Sequence, residues 1–114
     1  MKKLFAFAAL ALFLASVLLA QDSKIIETEF KVFGNCGMCK TRIEKAVKIK
    51  EVKYAKWNKD TKMLKVAFES TIPVDSLHKR VAEVGHDTEK FKAKDEVYAA
   101  LPKCCLYRDN PNTH

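Results

Sequence analysis

Glycine is scarce in this sequence, with three in 114 residues, and Gly34, Gly37 and Gly85 form no glycine-rich loop able to cradle a phosphate. No serine stands in a triad-like arrangement with a histidine, and no two carboxylates share a loop in the way general acid–base chemistry requires. The chain is therefore expected not to be an enzyme in the usual sense. It has no internal repeat and no low-complexity tract. Basic residues outnumber acidic ones by 21 to 14, for a formal net charge of +7. The lysines are nevertheless scattered along strand-like and helix-like stretches rather than gathered in one patch, so no nucleic-acid partner is expected. No apolar run reaches the roughly 20 residues of a spanning helix. The longest, Leu4 to Leu19, has about 16.

That run carries an address. Met1-Lys2-Lys3 is a short basic start, the apolar stretch follows, and Ala20 is small enough to precede a cleavage point before Gln21, although Leu18 stands where a small residue is preferred. Residues 1–20 read as a signal peptide, with an uncleaved anchor as the alternative, and the periplasm is the expected compartment. No cysteine lies near Ala20, so a lipid anchor is not indicated. The remaining 94 residues suffice for one small domain. Lys2 and Lys3 leave with the signal and the formal charge falls to +5, which suits acidic partners or anionic membrane surfaces.

Lys24 to Phe33 alternates, with Ile26, Thr28, Phe30 and Val32 on one side and Glu27, Glu29 and Lys31 on the other, as in a half-buried strand. The period changes after the Gly34–Gly37 turn, and a helix is expected from about Cys39 to Ile49, with Ile43, Ala46 and Val47 inward. Glu51 to Asn58 and Met63 to Glu69 read as a hairpin joined by the turn-forming Asn58-Lys59-Asp60-Thr61. Thr71 offers a second helix start, Pro73 suits its first turn, Val74, Leu77, Val81 and Val84 mark its buried stripe, and Gly85 ends it. Thr88 to Phe91 supplies a short last strand. The expected fold class is α+β: a ferredoxin-like β-α-β-β-α-β sandwich, with a four-stranded antiparallel sheet and two helices on one face. The domain spans 21–92. Residues 93–114 form an extension with a short helix from Asp95 to Leu101, the pair Cys104-Cys105, and a frayed tail from Asp109 to His114. His78 is placed on the polar side of the second helix, at the surface, and His114 receives no role.

The four cysteines fall in two local pairs. Cys36 and Cys39 stand too close together to close a useful disulfide loop, and Cys104 and Cys105 are adjacent, so neither pair can staple the fold, although cross-bridges between pairs remain open. A cysteine in the first turn of a helix has its thiolate favoured by unpaired N–H groups, and Lys40 and Arg42 lie nearby. Two thiolates on one turn can converge on a soft ion such as Cu(I) or Hg(II), whereas Zn(II) wants about four ligands. Thiol–disulfide exchange is the competing chemistry. Against it, no tryptophan precedes the motif and about 12 residues separate Gln21 from the loop, too few for the βαβ unit of a thioredoxin.

Cys36-Gly37-Met38-Cys39, followed by Ile43-Glu44-Lys45-Ala46 on the first helix of this element order, resembles the heavy-metal-associated domain. That family includes copper chaperones, amino-terminal modules of copper-exporting ATPases and periplasmic mercury-binding proteins. The similarity runs from about Ile25 to Phe91 and implies that Cys36 and Cys39 bind metal. Cu(I) is the first expectation, with Hg(II) or Zn(II) as alternatives. The implied role is capture and hand-over to a metal-transporting ATPase or another membrane or periplasmic acceptor, by a monomer or a metal-linked dimer; a metal sensor is the alternative. The positive face of Lys40, Arg42, Lys45 and Lys48 would dock an acidic partner, or is simply a solvated helix face. Where the family usually places Gly-Met ahead of its first cysteine, this chain has Phe33 and Gly34, and its methionine, Met38, sits between the cysteines. Met38 either lends a thioether contact or only packs. The residue after the Gly85-equivalent glycine faces the metal in family members, so His86 is a candidate third ligand, the alternative being a loop histidine without a role. Cys104 and Cys105 have three readings: completing the site, bridging to the loop cysteines, or packing as an inert pair.

Overall fold

The computed structural model describes residues 24–114; the expected signal segment, 1–20, lies outside them. The elements run β1 (Ile25–Lys31), α1 (Gly37–Ala46), β2 (Val52–Trp57), β3 (Met63–Glu69), α2 (Val74–Glu83), α3 (Asp95–Ala99) and a 3-10 turn (Lys103–Cys105). The sheet is antiparallel in the order β1-β3-β2, with Phe30 opposite Leu64 and Trp57 opposite the same residue from the other side. A bulge between Val52 and Tyr54 shifts the hairpin register once. Leu64, Val66 and Phe68 alternate inward as the period of two requires, and meet Ile43 and Val47 of α1 and Leu77 and Val81 of α2 in one core. Glu27, Glu29 and Lys65 stay exposed on the opposite face. Among the described residues, no helix is long and apolar enough to cross a membrane.

The sheet has three strands rather than the expected four. The Thr88–Phe91 segment makes a single bridge, Val32 to Thr88, on the open side of β1. Thr88 is the reason: its N–H donates to the Phe91 carbonyl at 2.7 Å, and its hydroxyl oxygen accepts from the N–H groups of Lys90 and Phe91 at 3.2 and 3.0 Å. These bonds close a turn where a ladder would have to continue. Among the described residues no strand pairs with the outer edge of β1 before Lys31, which Glu89 bonds twice, and Ile26 and Thr28, which face inward by register, are exposed.

His78 is not at the surface. It is 2% exposed, stacked on Phe30 at 3.8 Å between ring centroids, with Nδ1 at 2.8 Å from the Thr88 hydroxyl. Since that oxygen already accepts two N–H bonds, its own proton goes to Nδ1, and the imidazole is neutral. Burial first, and then the Lys90 charge, lower its pKa. The second helix also starts later than Thr71, at Val74 with Pro73 as its N-cap, because the residue ahead of a proline, Ile72, is steered away from helical backbone.

Residues 93–114 share the core of the domain. Tyr98, Leu101, Cys105 and Tyr107 are all buried in it. Gly85, at φ +106°, is the joint: a Cβ there would stand 3.0 Å from a Leu101 methyl. Gly85→Ala, facing both a left-handed backbone and that contact, is expected to cost about 1–3 kcal/mol. The measurement is the midpoint of chemical denaturation, which should fall without a change in slope.

Candidate metal centre

The loop before α1 is built around Trp57. Its indole N–H donates to the carbonyls of Val32 (3.0 Å) and Lys62 (3.2 Å), and its ring underlies Gly34, where a Cβ would lie 3.0 Å from the ring edge and 3.1 Å from the Cβ of Cys39. Trp57 thus lies beneath the loop, and glycine at 34 lets the backbone lie flat on it. Glu44 fastens the same tryptophan: its carboxylate accepts from the Trp57 N–H at 2.9 Å and pairs with Lys40. Lys40 also donates to the Trp57 carbonyl at 3.2 Å, so it braces α1 against β2. Asn35 is 1% exposed and joins three segments. Its side-chain oxygen lies 3.3 Å from the Cys39 sulfur, its amide donates to the Asn110 carbonyl at 2.8 Å, and its own carbonyl accepts from the His114 N–H at 2.8 Å. The tail expected to fray is therefore laid along the cysteine loop, with the Thr113 hydroxyl donating to the Lys59 carbonyl at 3.0 Å.

Cys36 occupies the N-cap of α1 and Cys39 its first turn. The sulfurs of Cys36 and Cys39 are 3.4 Å apart, and the Cys105 sulfur lies 3.4 Å from Cys36 on the other side. Cys104 follows at 3.8 Å from Cys105, and Cys36, Cys104 and Cys105 all fall within 4.8 Å of one another. All four are free thiols; Cys36, Cys39 and Cys105 are buried and Cys104 is exposed. Sulfurs around one tetrahedral ion at about 2.3 Å would be roughly 3.8 Å apart. The pairs here are already close to that spacing.

The extension reaches the loop through a polar clamp. The Tyr107 hydroxyl donates to the Gly85 carbonyl at 2.7 Å and accepts from the Asp87 N–H at 2.8 Å. Arg108 grips Asp87 with two bonds, of 3.0 and 2.8 Å, reaches Asp95 and the Ala93 carbonyl, and lies over the Tyr98 ring at 4.2 Å. Burial raises the Asp87 pKa, but the Arg108 bonds and the Ala93 N–H outweigh it and hold the carboxyl below its usual range.

His86 stands apart from the sulfurs. Its ring is fully buried and stacked on Tyr107, with Nδ1 at 2.8 Å from the Phe33 carbonyl and Nε2 facing Arg42 at 3.4 Å. Nδ1 carries the proton and Nε2 accepts. Burial above all pulls its pKa down to about 4, and Arg42 adds to the shift. Arg42 is thereby turned inward, while Lys45 on α1 and Lys48 just beyond its end remain exposed. Met38 is 52% exposed, with its sulfur 3.5 Å from that of Cys104.

The two loop thiols are unequal. Burial raises the Cys36 pKa, but the N–H of Cys39, the thiols of Cys105 and Cys39 and the N–H of Met38 outweigh it and bring it to about 7. Burial dominates at Cys39 and, with the neighbouring thiols, pushes it up to about 12. Sequence reasoning singled out the cysteines but not Asn35, Trp57, Tyr107, Asp87 or Arg108. The only signal for these was their position next to Cys36, Gly34 or Cys105 once the chain is folded.

No protein-family model and no curated protein matches the chain. Solved structures that share its fold include the CopZ metallochaperone, 24% identical at a TM-score of 0.53 over 55% of this chain and 98% of that one. A putative copper-ion-binding protein from Bacillus anthracis str. Ames is 22% identical at 0.55, over 58% of this chain and 97% of that one. The water-soluble region of the P-type ATPase CopA from Bacillus subtilis is 23% identical at 0.53, over 58% of this chain and 46% of that one. At these identities the likeness is one of fold.

Thiolate absorbance near 240 nm, followed in the reduced protein, should show a first step, one thiol in size, centred near pH 7. Cys36→Ser should remove that step. A step that persists in the variant assigns the low pKa to another thiol.

Proposed function

We propose that this protein captures a soft metal ion, Cu(I) first, through Cys36 and Cys39, with Cys105 and Cys104 folded back to complete the donor set. The single observation that carries the reading is the convergence of four free thiols from two distant segments at the start of α1, with 3.4 Å between the Cys36 and Cys105 sulfurs. Sulfur donors select Cu(I) and Hg(II) over hard cations. The exposed thioether of Met38 beside Cys104 points the same way. The putative copper-ion-binding protein of the same fold supports the choice of ion, and the metallochaperone and P-type ATPase neighbours support a metal-transporting ATPase as acceptor. The basic face left free for docking is Lys45 and Lys48, since Lys40 and Arg42 are held within the fold. His86 serves to position the Phe33 carbonyl and Arg42 rather than to bind the ion. In this reading the protein is exported, works in the periplasm as a carrier rather than an enzyme, and loads as a monomer because one chain supplies every sulfur.

Anaerobic titration of the reduced protein lacking residues 1–20 with Cu(I), Zn(II) and Hg(II), followed by native mass spectrometry, tests this. One tightly held Cu(I) per chain that resists Zn(II) is expected. Cys104→Ser/Cys105→Ser together should weaken Cu(I) retention against a competing chelator by at least about tenfold, the lower end of the cost of losing a group at a metal site. Affinity should also fall as the pH drops, and more steeply below about 7, where protons reclaim Cys36 as well as Cys39. Absence of tight soft-metal binding would turn the reading towards thiol–disulfide exchange.

A further inference from the structure

The four thiols are not equivalent in access. Cys36, Cys39 and Cys105 are at most 5% exposed, so an ion held among them offers little of itself to an incoming ligand. Cys104 is different: it is exposed, 3.8 Å from the buried Cys105 sulfur, and within 4.8 Å of Cys36. Met38 extends the series outward, with its thioether 3.5 Å from Cys104 and half of the side chain in solvent. The surface beside them is clear, for a side chain added at Gly37 would meet nothing within 4 Å. Solvent exposure of a large apolar side chain brings no stability, and Met38 packs into no core. What its position does provide is a soft donor at the mouth of a buried sulfur site.

We propose that Met38 and Cys104 form an outer subsite for Cu(I), through which the ion passes on its way into and out of the buried thiols. The proposal rests on the reading of the site as a Cu(I) carrier and adds the route. The thioether of Met38 binds Cu(I) well and Zn(II) poorly, so the subsite also favours Cu(I) at entry. The steps are ligand exchanges with no change of oxidation state. A chelator–copper bond breaks as the Met38 or Cys104 sulfur bonds the ion, and the Cys104 proton passes to water. The Met38 bond is then replaced by one to Cys105 or Cys36, whose thiol proton passes to water, while Cys104 keeps its bond as one of the donors. Release runs through the same states in reverse.

A group that binds the ion only in transit lowers the barrier in both directions equally and leaves the end-state equilibrium alone. Met38→Leu, which keeps the volume and removes the sulfur, should therefore slow Cu(I) uptake from a bicinchoninate complex and Cu(I) release to bathocuproine disulfonate by the same factor. That factor should be roughly tenfold, comparable to the loss of a supporting group at other metal sites. The equilibrium affinity should stay within about twofold of the unmodified protein, since Met38 contributes nothing to the loaded state. Met38 is exposed and its replacement should leave the circular dichroism unchanged. Stopped-flow rates equal to those of the unmodified protein overturn the outer subsite, as does a large loss of equilibrium affinity, which would make Met38 a ligand of the loaded state. Failure of the unmodified protein to bind Cu(I) is a separate outcome, and it removes the carrier reading together with the route.

Discussion

The docking of the C-terminal segment onto the loop after α2 is the interaction on which the site depends. Tyr107 and Arg108 together use the Gly85 carbonyl, the Asp87 N–H and both Asp87 carboxylate oxygens. The two Arg108–Asp87 bonds are charge-assisted, a class that contributes about 1.5–3 kcal/mol each, and the bidentate fork fixes direction as well as distance. The backbone two residues earlier is thereby held so that Cys105 points into the core, 3.4 Å from Cys36. Without the clamp, the chain would present a two-cysteine loop on a small sandwich.

That loop is itself supported from below. Trp57 takes the space under Gly34, its indole N–H binds the two carbonyls that flank the open end of the sheet, and Glu44 ties its backbone to α1. The consequence is asymmetry between the thiols. Cys36 sits at the helix start, where the backbone N–H groups of Met38 and Cys39 lower its pKa, while Cys39 lies in the first turn beside Asn35 and loses its contact with water. One thiol is poised to react and the other to be held. In the proposed carrier such a pair suits stepwise closure, with an ion that enters at Met38 and Cys104 bonded next by Cys36 and last by the more deeply buried Cys39.

The missing fourth strand and the buried His78 have a common origin in Thr88. Its hydroxyl turns the chain after one bridge and gives a partner to Nδ1 of an imidazole that would otherwise be costlier to bury. The edge left open at β1 exposes Ile26, yet the core remains closed because Phe30 and Val32 lie further along the strand, under the helices.

Much of this was legible in the order of residues. The strict alternation of Met63 to Glu69 allowed no other strand face, and Gly85 and Pro73 marked the limits of α2 because their backbone requirements are local. The Cys36–Cys39 spacing implied soft-ion chemistry for the same reason: four residues of chain set how far apart two sulfurs can be. What only the tertiary structure decided involves groups separated by most of the chain, where sequence spacing carries no distance. Cys105 lies beside Cys36 across 69 positions, and Asn35 bonds residue 110. His86 turns its nitrogens to Phe33 and Arg42, away from the sulfurs. Local periodicity specifies which face of an element is buried; the competition among buried polar groups for partners specifies which of them meet, and that is settled only when the whole core has closed.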